Sequence, residues 1–142
     1  MSLSLLLFTG LLAAGPQHFT LSARFEPAAK AGAPAAIAVS FVPADPEVHI
    51  NQEPPPRLKL DPTQNVLVDK QPPPPTRVVP YDPDTAKYLD TRLPVGFAVA
   101  WAPGAPKGPQ LVRATVTYFY CSKREGWCRK GSTEVEIPVT VP

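Results

Sequence analysis

The chain has 142 residues, of which 44% are hydrophobic, 21 are proline and 8 are glycine. That suffices for one domain around one core, and prolines, which lack a backbone donor and break helix interiors, exclude a helical bundle. Fourteen basic and twelve acidic side chains leave a net charge of +2, and without a clustered basic surface a nucleic-acid partner is excluded too.

Leu3 to Ala14 is apolar apart from Ser4, Thr9 and Gly10. The run is shorter than the roughly 20 residues a membrane-spanning helix needs. Followed by Ala13, Ala14 and Gly15, it reads as a signal peptide over residues 1–16. It departs from the usual form in having no Lys or Arg before Arg24. The expectation is a single exported domain, periplasmic or secreted, over residues 17–142.

Phe19 to Phe25 alternates strictly, with Phe19, Leu21, Ala23 and Phe25 on one side, as a half-buried strand does. Ala35 to Val42 is a second strand, with Ile37, Val39 and Phe41 on one face. Pro43-Ala44-Asp45-Pro46 is turn chemistry. Val48-His49-Ile50, Leu58-Lys59-Leu60 and Val66-Leu67-Val68 are short strands. Gln71 to Pro80 holds Pro72-Pro73-Pro74-Pro75, which suits an extended surface segment and not a central strand. Tyr81 to Asp90 is an irregular loop with two tyrosines. Phe97 to Trp101 and Leu111 to Tyr120 are strands, the second being the longest. Val135 to Val141 alternates and closes the domain, and Pro138 places that strand at an edge or a bulge. About seven short strands separated by turns predict an all-β fold, an immunoglobulin-like β-sandwich with long Pro-rich loops.

The two cysteines, Cys121 and Cys128, flank a segment in which Gly126 lets the chain reverse. They can therefore face each other across a hairpin, within disulfide reach, and in an exported protein they should oxidise. Such a bond is either a structural staple or a redox pair. A staple over so short a loop contributes roughly 2–3 kcal/mol in the chain-entropy account. For a redox role, Lys123, Arg124, Arg129 and Lys130 surround the pair with charge that favours thiolate. Residue chemistry alone leaves both open.

The segment Pro46-Glu47-Val48-His49-Ile50-Asn51, with Pro54-Pro55-Pro56-Arg57-Leu58-Lys59-Leu60 after it, resembles the N-terminal domain of the DsbD family of bacterial thiol:disulfide interchange proteins. So does the end of the chain: Val116-Thr117-Tyr118-Phe119-Tyr120-Cys121, then Cys128, then Ile137-Pro138-Val139-Thr140-Val141. The likeness covers about Phe19 to Val141 in order of elements. It implies a periplasmic domain with protein-disulfide-reductase-type activity. In the family this domain takes electrons from a membrane electron transporter and passes them to thioredoxin-fold oxidoreductases of the periplasm. By position, Cys128 would form mixed disulfides and Cys121 would resolve them. Tyr81 or Tyr88 would stand for the family's shielding aromatic. Six residues separate the two cysteines here, against five as a rule in the family.

Trp127, inside the hairpin, is a candidate to pack over the disulfide or to anchor a partner, and Trp101 reads as core. No cofactor is expected. His49 reads as a structural histidine and not a metal ligand, and Asp82, Asp84 and Asp90 fit no calcium-loop spacing. A monomer without bound metal is expected.

Overall fold

The computed structural model describes residues 18–70 and 88–142. The expected leader over residues 1–16, Tyr81, Asp82, Asp84 and the polyproline run lie outside them. Eight strands follow in chain order: β1 (Phe19–Glu26), β2 (Ala35–Pro43), β3 (Val48–Ile50), β4 (Arg57–Leu60), β5 (Leu67–Asp69), β6 (Val95–Trp101), β7 (Gly108–Ser122) and β8 (Trp127–Val141). They form two antiparallel sheets. One has the order β1-β2-β6-β5. In the other, β7 is central, with β8 along one edge and β3 and β4 sharing the opposite edge. The fold is the expected all-β sandwich.

The core lies between the sheets. Ile37, Val39 and Phe41 of β2 and Phe97 and Val99 of β6 meet Val112, Val116 and Ile137 of the other sheet, all buried. Alternation along each strand sorts the faces: Val135, Ile137, Val139 and Val141 point in, while Glu134, Glu136, Pro138 and Thr140 are exposed. Tyr118 fills the centre of one end. Its ring lies 5.4 Å from that of Phe41 and 5.8 Å from that of Phe19, both edge-on. Opposite it on β8 stands Gly131, whose lack of a Cβ leaves room for the ring.

The last two strands are longer than hydrophobic alternation predicts. β7 begins at Gly108 and runs through Cys121, and β8 begins at Trp127. Sequence reading stops where apolar residues stop, but the ladder continues because each strand finds backbone partners on the other. It runs unbroken for fifteen register pairs, from Gly108 with Val141 to Ser122 with Trp127. Both prolines in it are tolerated for one reason. Asp61 N donates to Arg113 O, and Asn51 N to Phe119 O, so odd-numbered residues of β7 turn their backbone polar groups away from β8. Pro109 and Pro138, in register with Thr140 and Leu111, both occupy pairs that carry no β7–β8 hydrogen bond. Pro138 thus sits in an edge strand, as expected, and needs no bulge.

A Cβ at residue 131 would lie 2.5 Å from Cε2 and Cζ of Tyr118. Gly131→Ala should therefore destabilise the domain by about 1–3 kcal/mol, the usual range for overpacking. Urea unfolding measures it. A change under about 0.5 kcal/mol, the level of a neutral surface substitution, would show that the ring is not wedged there.

Candidate functional site

The site grows from the turn between β7 and β8. Four residues, Lys123 to Gly126, connect the strands. Gly126 has φ +72°, the left-handed region where a side chain is strained, and its N–H donates to Ser122 O at 2.9 Å. Ser122 is buried, and its Oγ accepts from Glu125 N at 3.2 Å. This tight turn sets Ser122 opposite Trp127 and hence Cys121 opposite Cys128. Position 121 is odd, so the cysteines form a non-hydrogen-bonded pair, the type whose side chains come closest. Their Cα atoms are 4.0 Å apart and the sulfurs are bonded at 2.06 Å.

Val112, Ala114, Val116, Tyr118 and Tyr120 all face the core. The odd-numbered Cys121 therefore lies on the outer face of its sheet, and Cys128 beside it. The two sulfurs sit in unequal surroundings. Cys121 keeps only 7% of its surface exposed, whereas Cys128 is exposed.

Strand β3 accounts for the burial of Cys121. His49 is its register partner on that face. Asn51, two residues on, brings Oδ1 to 3.3 Å from Cys121 Sγ. Tyr88 docks on the far side of β3: it bridges Asn51, and Leu89 N donates to Ile50 O at 2.9 Å. The Tyr88 ring stacks on His49, centroids 4.9 Å apart at 21°, and Lys123 Nζ lies 5.5 Å from the Tyr88 centroid. Tyr88 is thus brought to the site, its ring meeting His49.

Trp127 goes elsewhere. Its register places it on the inner face, away from the disulfide. There its ring lies 5.1 Å from His18 and 5.8 Å from Tyr120. Its Nε1 donates to Glu125 Oε2 at 2.5 Å. Burial, with Tyr118 adding, raises the pKa of the Tyr120 hydroxyl above its ordinary value, so this phenol stays protonated.

The cations divide the same way. Arg129, next in sequence to Cys128, turns to the inner face and lies 4.3 Å from the Trp127 centroid. Arg124 pairs with Asp45 at 3.3 Å. Lys130, two residues from Cys128, shares its face. Sequence adjacency alone suggests a ring of four positive charges; strand alternation removes Arg129 from it.

Asp90 is engaged by its neighbour. Arg92 binds it at 2.7 Å, and these side-chain and backbone hydrogen bonds hold its carboxyl at about 2. Among the described residues no group of three or more His, Cys, Asp or Glu side chains is placed to hold a metal.

Asn51 is the contact that sequence reasoning misses. Its signal was present, since it lies two residues from His49 and so on the same face. Its contact with the sulfur spans 70 positions of chain, and only the pairing of β3 with β7 creates it. Comparison with family models, with characterised proteins and with solved structures finds no match.

The unequal burial gives a direct expectation. In Cys121→Ser, the remaining thiol at position 128 should react with an alkylating reagent at least about tenfold faster than the remaining thiol at 121 in Cys128→Ser. Timed alkylation at one pH, read by intact mass, measures both. Equal rates would mean that β3 does not shield Cys121.

Proposed function

We propose that this chain is a thiol–disulfide exchange domain that works through Cys121 and Cys128. The observation that carries the reading is that one disulfide presents one sulfur to solvent and hides the other. Exchange requires a thiolate to reach a sulfur and displace its partner. Only Cys128 is open to such an attack. An incoming thiolate would bond to Cys128 Sγ and release Cys121. In the reverse step Cys121 attacks the mixed disulfide and frees the partner. Cys128 is therefore the exchanging residue and Cys121 the resolving one.

The location of the bond argues against a staple. It joins residues already opposed in a fifteen-pair ladder and closes a loop of six intervening residues. A clasp stabilises most where it closes a long loop. The reading carries the rest of the resemblance with it: a periplasmic domain exported by its apolar leader, a membrane electron transporter as donor, and thioredoxin-fold oxidoreductases as acceptors.

Two measurements test this. The reduction potential of Cys121–Cys128 should lie above about −300 mV, the level below which exported structural disulfides usually fall. Mixed with an oxidised thioredoxin-fold protein, reduced Cys121→Ser should accumulate a covalent complex on a non-reducing gel, and Cys128→Ser should not. Trapping by Cys128→Ser alone would reverse the assignment. Trapping by neither, with a potential well below that level, would make the bond a staple.

The leader is tested separately. Protein recovered from the cell envelope should be shorter than the gene product by about the 1–16 stretch, as a cleaved signal peptide requires. Intact mass decides, and Met1 retained on cytoplasmic protein would overturn the localisation.

A further inference from the structure

We infer that Asn51 is a positioning residue that tunes this redox pair by accepting a hydrogen bond from Cys121 only when the pair is reduced. The inference rests on the exchange reading and adds to it a residue that sets the stability of the reduced form.

Asn51 Oδ1 lies 3.3 Å from Cys121 Sγ, a sulfur that is 7% exposed. In the disulfide neither atom carries a hydrogen. Oδ1 is an acceptor facing a weak acceptor, and the amide oxygen gains nothing from the contact. Reduction changes one partner. The disulfide takes two electrons and two protons from a dithiol, which becomes a disulfide in turn, and both cysteines become thiols. Cys121 then carries an S–H facing the waiting oxygen. A half-buried acceptor that was unpaired becomes paired, and the gain belongs to the reduced form alone.

The position of Asn51 supports the assignment. Its backbone is fixed on both sides, by its N–H to Phe119 O at 2.8 Å and by the bridge to Tyr88. The amide therefore does not have to be ordered when the thiol forms. Lys123, Lys130, His49 and Tyr88 share this face with the pair, and Arg57, Lys59, Arg113, Glu134 and Glu136 lie further along it. Among the described residues, Asn51 is the one whose side-chain oxygen lies within hydrogen-bonding distance of Cys121 Sγ.

Two consequences follow. The dithiol is favoured, so the pair is more oxidising than the same hairpin without Asn51. The thiol of Cys121 is also held protonated, which leaves Cys128 as the thiolate that attacks. The same residue would thus set both the poise and the order of the two cysteines.

The test uses the full-length mature protein, equilibrated with dithiothreitol in its reduced and oxidised forms, with the dithiol fraction read by alkylation and mass. Asn51→Leu removes the acceptor at similar volume, and the equilibrium constant for forming the dithiol should fall about tenfold, equivalent to about 30 mV. Asn51→Asp keeps the acceptor oxygen, replaces the amide nitrogen by a second, gains charge and cannot donate, so the constant should rise above wild type at pH 7. Opposite shifts in the two variants support the inference. Shifts in one direction, or none, overturn it: a packing role, or an amide turned to donate its N–H, would move both variants alike. Circular dichroism and urea unfolding establish that each variant is folded, and Asn51→Ser, a shorter acceptor, gives a second reading should Asn51→Leu fail to fold. Because dithiothreitol replaces any protein partner, failure here leaves the exchange reading standing, whereas absence of trapped complexes with wild-type Asn51 would remove the exchange reading itself.

Discussion

The ladder between β7 and β8 is the constraint on which the remaining features depend. It is a register of fifteen pairs anchored by one four-residue turn. A slip of one residue would send every inward side chain outward. It would also part the cysteines, drive a larger residue against Tyr118 and carry Pro138 onto a hydrogen-bonded position. Packing of the core, covalent closure and tolerance of proline all point to the same alignment. Agreement among independent local demands is how a sequence selects one structure from its competitors.

The same alignment explains how two faces of one hairpin hold different chemistry. Cys121 and Cys128 lie outside, beside polar residues of β3. Trp127 and Arg129 lie inside with His18 and Tyr120, at the open end of the sandwich. These residues are neighbours in sequence and are separated by the sheet itself. Charge at one sulfur is therefore not a property of the basic run around it. It follows from which of those side chains share a face, and Arg129 does not.

Much of the fold was legible because it follows from period-two alternation. β1, β2 and β3 begin at the positions that alternation indicates, and Phe19, Ile37, Val39 and Phe41 are buried as that pattern requires. The ends of β7 and β8 were not legible. Residues such as Ser132, Lys130 and Gly131 belong to β8 through backbone pairing, and no apolar signal marks them. The cysteine pairing was readable, since the hairpin is local and Gly126 announces its turn. The unequal burial of the two sulfurs was only partly so. The aromatic run before Cys121 suggests depth, but its cover comes from His49, Asn51 and Tyr88, and pairing between distant strands leaves no trace in either local segment.

Pro138 has a consequence for how another protein can meet this one. Its missing N–H belongs to the outer edge of β8, the edge with no paired strand among the described residues. Glu134 and Glu136 stand close by, both exposed. An incoming strand would find a donor lacking at Pro138 and two acidic side chains along the residues before it, conditions that discourage strand addition. On the exchange reading proposed above, a partner that seeks the sulfur of Cys128 would come to the outer face of the hairpin and leave without having been woven into the sheet. Encounters of that kind are brief and repeatable, which is what the proposed exchange would require.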